Sequence, residues 1–269
     1  MAEDYQAIID AGQNLGAPII LTDGGSYAVI PEGSKIEDLE RFLGRPIRAR
    51  AAVAAKTAET FAAYVKRFQD GGATVIFADQ EEFALLGVID YHEPSTAADP
   101  ALPGFREHRI SYTAPRSLEW KTWRDANGKQ MTQADFARFI EDNVVDIRSP
   151  AGAEVLEVSR GLQAKSSVEF ASAIRLSDGS QQFTYSETIE GATSKGTMRV
   201  PEEFTLGIPV FFGGQAYSVV ARLRYRIKDG KLVLWYDLYR PEYIEKDAFE
   251  AVVADVGEKT GIEIWHGVP

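Results

Sequence analysis

Asp229-Gly230, set between runs that alternate apolar and polar residues from Ala216 to Arg240, constrains this chain more than any other feature. An Asp-Gly pair supplies the positive-φ positions of a tight two-residue turn whose twist matches that of antiparallel strands. The run is therefore a β-hairpin with a definite register. Lys228 faces Lys231, Ile227 faces Leu232, Arg226 faces Val233, Tyr225 faces Leu234, Arg224 faces Trp235, Leu223 faces Tyr236 and Arg222 faces Asp237. Successive side chains point to opposite faces. One face then collects Ala221, Leu223, Tyr225 and Ile227 with Leu232, Leu234, Tyr236 and Leu238. It must face the core, because a slip of one residue would bury the arginines instead.

The other face carries Arg222, Arg224 and Arg226 beside Val233, Trp235 and Tyr239, with Arg240 at its end. Three readings stay open. Arginine stacked on tryptophan amid positive charge suits a platform for single-stranded nucleic acid. Arginine and aromatic residues are also enriched at the cores of subunit interfaces. As a plain structural face, it would pair Arg222 with Asp237 and stack Arg224 on Trp235, each contact adding about 0.2–1 kcal/mol. Charge bears on the choice. The chain holds 29 basic and 40 acidic residues, a formal net charge of −11 that repels phosphate at long range. Between Ala216 and Arg240 the balance reverses, six basic residues standing against two acids. The average hides a basic sheet face on an acidic remainder, a polarity that suits head-to-tail self-association at least as well as nucleic acid.

A second candidate is a metal or acid–base site. Leu85 to His92 reads as a strand, and counting by twos sets Leu86, Val88, Asp90 and His92 on one face, with Glu93 following. If Arg106 to Thr113 pairs with it, His108 approaches His92, and two imidazoles with one carboxylate are a known ligand set for non-haem iron or zinc. The alternative is a hydrogen-bonded histidine at a strand end. His92-Glu93 is not the helical H-E-x-x-H motif, since Pro94 and Thr96 follow. Asp79, Glu81 and Glu82 read as a solvated turn, the alternative being a cation or acid–base site. Gly24-Gly25 and Gly213-Gly214 also read as turns. No phosphate-cradling glycine motif and no serine nucleophile elbow is present, and with no cysteine there is no thiolate chemistry. No cofactor is expected.

Elsewhere the pattern predicts a fold of the α+β class. A smaller N-terminal mixed α/β region covers 1–93, with a hairpin around Asp23-Gly24-Gly25, helices at 35–43 and 58–69, and strands at 47–53, 74–78 and 85–92. Residues 94–104 (PSTAADPALPG) read as a linker or long loop. Residues 105–269 form a larger antiparallel-sheet region with packed helices, among them one capped by Thr132 and one starting at Pro241. The acidic start lacks a secretory signal pattern, and no apolar run reaches the ~18 residues of a membrane span. A cytoplasmic protein without membrane partners is expected.

Phe105-Arg106-Glu107-His108-Arg109, Ser117-Leu118-Glu119-Trp120-Lys121-Thr122-Trp123, the stretch Met131 to Asp142 and Ala221-Arg222-Leu223-Arg224-Tyr225-Arg226 together resemble the YfdQ-like family of phage and prophage proteins. The similarity runs from about Ile8 to Arg240. The family is a domain of unknown function and carries no catalytic residues to transfer. The resemblance implies a bacterial cytoplasmic setting, phage or prophage ancestry and a place beside early genes of phage DNA metabolism. The first expectation is thus a non-enzymatic accessory protein that assembles with itself or another protein. The others are a nucleic-acid-associated protein of phage replication or recombination using the arginine stripe, and a metal-dependent hydrolase centred on Asp90, His92 and His108.

Overall fold

The structure is a computed structural model that describes residues 19–20, 26–27, 44–46, 48–70, 72–94, 102–164, 168–189 and 192–269. Its contacts divide the chain into two units, Met1–Ala49 and Arg50–Pro269. In the first, β1 (Ile19–Ile20) and β2 (Ser26–Tyr27) pair antiparallel with Ile19 opposite Tyr27, as a hairpin around Asp23-Gly24-Gly25 requires. The turn residues themselves and the helix expected at 35–43 lie outside the described residues.

The second unit begins with β3 (Ala51–Ala54) and α1 (Ala58–Phe68). The Thr57 hydroxyl accepts the Thr60 N–H, and Phe61, Ala62 and Val65 form the helix's buried stripe. Next come β4 (Val75–Asp79), β5 (Ala84–Val88) and β6 (His108–Thr113). Helix α2 (Leu118–Ala126) is capped by Ser117, and α3 (Gln133–Asp142) by Thr132, which also ends the two-residue strand β7 (Met131–Thr132). Strand β8 (Ile147–Ser149) and α4 (Gly152–Ala164) lead to β9 (Glu169–Arg175), β10 (Gln181–Ile189), β11 (Ala192–Val200) and β12 (Glu203–Pro209). The long hairpin β13 (Ala216–Lys228) and β14 (Lys231–Leu238) follows, then α5 (Pro241–Thr260) and β15 (Ile264–His266).

These strands make three sheets in the second unit. The first is mixed, in the order β15-β4-β5-β6-β3, with β3 parallel to β6 and β15 parallel to β4. The second is antiparallel, in the order β7-β14-β13-β12-β8, and the third is β11-β10-β9. With five helices among the described residues, this is the α+β class that the pattern of elements implies. The proline-bearing stretch 94–104 lies inside the second unit, and the first sheet takes strands from both sides of it. Proline ends a strand whether or not a domain ends there. What crosses the stretch is long-range: β15 joins β4, and α5 packs on α1.

The core side of the second sheet closes over two tryptophans from α2. Trp120 and Trp123 are fully buried, and the Trp123 ring lies 5.0–5.6 Å from those of Phe139, Phe204 and Tyr236. Each indole N–H is satisfied, Trp123 donating to Asp146 at 2.7 Å and Trp120 to Glu245 at 3.0 Å. Glu245 also takes the Arg116 guanidinium at 2.7 Å, which ties α5 to α2. Burial raises the Asp146 carboxyl above its usual range, against the lowering effect of the Trp123 hydrogen bond.

Candidate functional site

The hairpin at Asp229-Gly230 has the register that its turn dictates, from Lys228 opposite Lys231 to Arg222 opposite Asp237 and Ala221 opposite Leu238. Leu223, Leu232, Leu234, Tyr236 and Leu238 are buried, while Arg222, Arg224 and Arg226 stand exposed on the outer face. The arginines do not make the pairs expected from that register. Arg224 Nε donates to Asp237 at 2.9 Å, on the diagonal, instead of covering Trp235. Arg222 lies over the Tyr239 ring, 4.3 Å from its centroid, and reaches Glu203 at 4.0 Å. Arg226 donates to Gln130 at 2.9 Å, and Arg240 stacks between Tyr239 and Tyr243. The reason is the third strand. β12 lies on the other side of β13 with Glu203 directly opposite Arg222, which leaves Asp237 to the neighbouring arginine.

Where this face meets the β9–β10 turn, Arg175, Asp178, Glu202, Glu203, Arg222 and Arg224 line a shallow hollow of about 610 Å³. Arg175 pairs with Glu202 across it. The Ser180 hydroxyl and backbone N–H both donate to Asp178 and hold its carboxyl below the usual range. The hollow thus carries three cations and three anions.

The residues of the expected metal site are placed differently. β5 ends at Val88 and turns at Ile89-Asp90, so the alternate count that put Asp90 and His92 on one strand face fails. Asp90 spends both carboxylate oxygens on the backbone, accepting the Glu107 and His108 N–H groups at 3.0 Å each. His108 is buried, and its Nε2 is 2.8 Å from the Tyr64 hydroxyl. His92 bridges to Pro103 and packs edge-on against Tyr91, with its Nδ1 buried and unpartnered. Gly104 closes this clasp, since a Cβ there would lie 2.1 Å from the Asp90 carbonyl oxygen. Among the described residues no three of His, Asp and Glu are grouped to hold one ion. Asp90, His92 and His108 are therefore not assembled as a ligand set. Asp79 accepts the Glu81 and Glu82 N–H groups at 2.9 and 3.2 Å, which makes that acidic trio a turn.

A structural role for Asp90 has a direct consequence. Asp90→Ala should lower stability by about 1–2 kcal/mol through two backbone N–H groups left without their acceptor. Thermal melts of the wild type should be unchanged by chelator or by added zinc. A melting temperature that falls with chelator would restore the metal reading.

With the geometry in place, the comparison with known families is decisive on kinship. The model of the family described as Uncharacterized conserved protein (DUF2303) matches residues 1–269. The chain belongs to DUF2303. No curated protein and no solved structure matches it.

One residue of this DUF2303 face escapes a reading of the hairpin alone. Arg148, on β8 at the far edge of the sheet, lies across β12 where Gly207 leaves room. A Cβ at Gly207 would stand 1.8 Å from Arg148 Nε. The signal is a glycine in a strand interior, which marks a close approach. The outer face thus gathers arginines from two strands, with Glu203 on the strand between them and Asp237 on the far side of β13. No helix among the described DUF2303 residues is long and apolar enough to cross a membrane.

Proposed function

We propose that this protein is a non-enzymatic accessory protein, encoded by a phage or prophage and working in the bacterial cytoplasm, that acts by associating with itself through the outer face of its second sheet. One observation carries the reading: the arginines of that face are interleaved with acids of the same face. Arg224 beside Asp237 and Arg222 beside Glu203 give the surface both signs of charge. A phosphate backbone calls for one sign of charge, held free to displace counterions. A face with both signs can instead meet a copy of itself about a twofold axis, arginine against acid. Half-buried Trp235 and exposed Tyr239 add the aromatic surface typical of an interface core. The YfdQ-like resemblance supports the phage and cytoplasmic setting.

Light scattering on the size-fractionated protein tests this. The expected particle has twice the 29.7 kDa chain mass and loosens as salt rises, because exposed charges are screened beyond about 10 Å at 0.1 M. A strictly monomeric protein that binds single-stranded DNA at low salt would overturn it in favour of a nucleic-acid role.

A further inference from the structure

A cleft of about 430 Å³ lies elsewhere in the second unit, between the start of α1, the end of β6, the turn before β13 and one side of α5. Tyr112 lines it and is 4% exposed, and its hydroxyl, which makes no hydrogen bond with any described residue, is not fully enclosed and stays open to a ligand. Its neighbours are donors as well. The Thr57 hydroxyl takes the Thr60 N–H, and helical bonding begins with Phe61 N–H to the Thr57 carbonyl. The Ala58 and Glu59 N–H groups therefore have no acceptor in the helix, and both residues line the cleft with Lys56. The walls are apolar, from Pro115, Phe211, Phe212, Tyr217, Ala248 and Val252.

Charge narrows the ligand. Glu59 and Asp255 also line the cleft, with Lys259 Nζ between them at 4.0 and 2.6 Å. The two acids and the two lysines of the lining, Lys56 and Lys259, sum to zero formal charge, which leaves the positive end of α1, about half an elementary charge, for a ligand. That suits a single negative charge and works against a dianion. Burial, reinforced by Glu59, raises the Tyr112 phenol above its ordinary range, so it stays protonated as a donor.

We propose that this cleft binds a small monocarboxylate with an apolar body, its carboxylate held by the Tyr112 hydroxyl and the first N–H groups of α1 and its body against Phe211 and Phe212. The site is independent of the self-association face. Calorimetric titration of the full chain with hydrocinnamate should show saturable one-to-one binding. The neutral amide, hydrocinnamide, and the dianion phenyl phosphate should each bind at least tenfold more weakly. Tyr112→Phe should weaken hydrocinnamate about tenfold, the loss of one charge-assisted hydrogen bond. Ala251→Trp, which changes an exposed cleft residue of α5, should abolish binding without relying on the fit of position 112. Absence of saturable binding at millimolar hydrocinnamate, equal binding of the amide, or tighter binding of phenyl phosphate would overturn the assignment. So would wild-type affinity in both variants.

Discussion

Trp123→Ala is expected to lower the unfolding free energy by about 4 kcal/mol, read as a shifted urea midpoint at unchanged slope. The side chain is fully buried and touches rings from α3, β12 and β14 at once. Removing it opens a cavity that three separately anchored elements cannot close together, which places the cost at the upper end of large-to-small substitutions. Asp146 would also lose its indole donor while remaining partly buried. Set against the ~5–15 kcal/mol that stabilises a typical domain, the loss is a large share. Tyr236→Phe is the scale for the polar part. It removes only the hydroxyl that donates to the Trp123 carbonyl at 2.6 Å and should cost about 1 kcal/mol. If Trp123→Ala costs no more than Tyr236→Phe, the two-layer packing of α2 on the second sheet is wrong.

The same residues show how far the sequence could be read. The hairpin was legible to the level of individual pairs because turn chemistry and period-2 burial both fix the register, and no distant residue enters either rule. The helix caps at Thr57 and Thr132 were legible for the same reason, a local hydrogen bond three residues on. The arginine partners were not, because Glu203 and Gln130 reach the face from other strands and loops. The Asp90 turn was missed where a continuing alternation hid the end of β5, and the clasp depends on Gly104 meeting a carbonyl that lies fourteen positions earlier in the chain. The Tyr112 cleft has no local signature at all. Its walls come from four segments of the second unit that only the folded chain brings together.

Reversing the arginine row, Arg222→Glu with Arg224→Glu and Arg226→Glu, is expected to weaken self-association at least a hundredfold, measured by sedimentation or light scattering across a dilution series. The three arginines share one face of β13, each replacement changes the local charge by two, and Glu203 and Asp237 are already acidic. Two such faces brought together would set acid against acid, a juxtaposition that costs several kcal/mol. The fold should survive, because the arginines are exposed and their ion pairs are surface pairs of about 0–1 kcal/mol each. Mixing makes the test specific. In a twofold dimer of one wild-type and one reversed copy, one arginine–acid set is kept and the other becomes acid against acid, so the mixed dimer should be weaker than the wild type's and tighter than the variant's own. A variant that still dimerises as the wild type does would place the interface elsewhere on the molecule. A mixed dimer no tighter than the variant's own, while the variant melts at the wild-type temperature, would show that the arginines act other than by meeting the acids of a second copy.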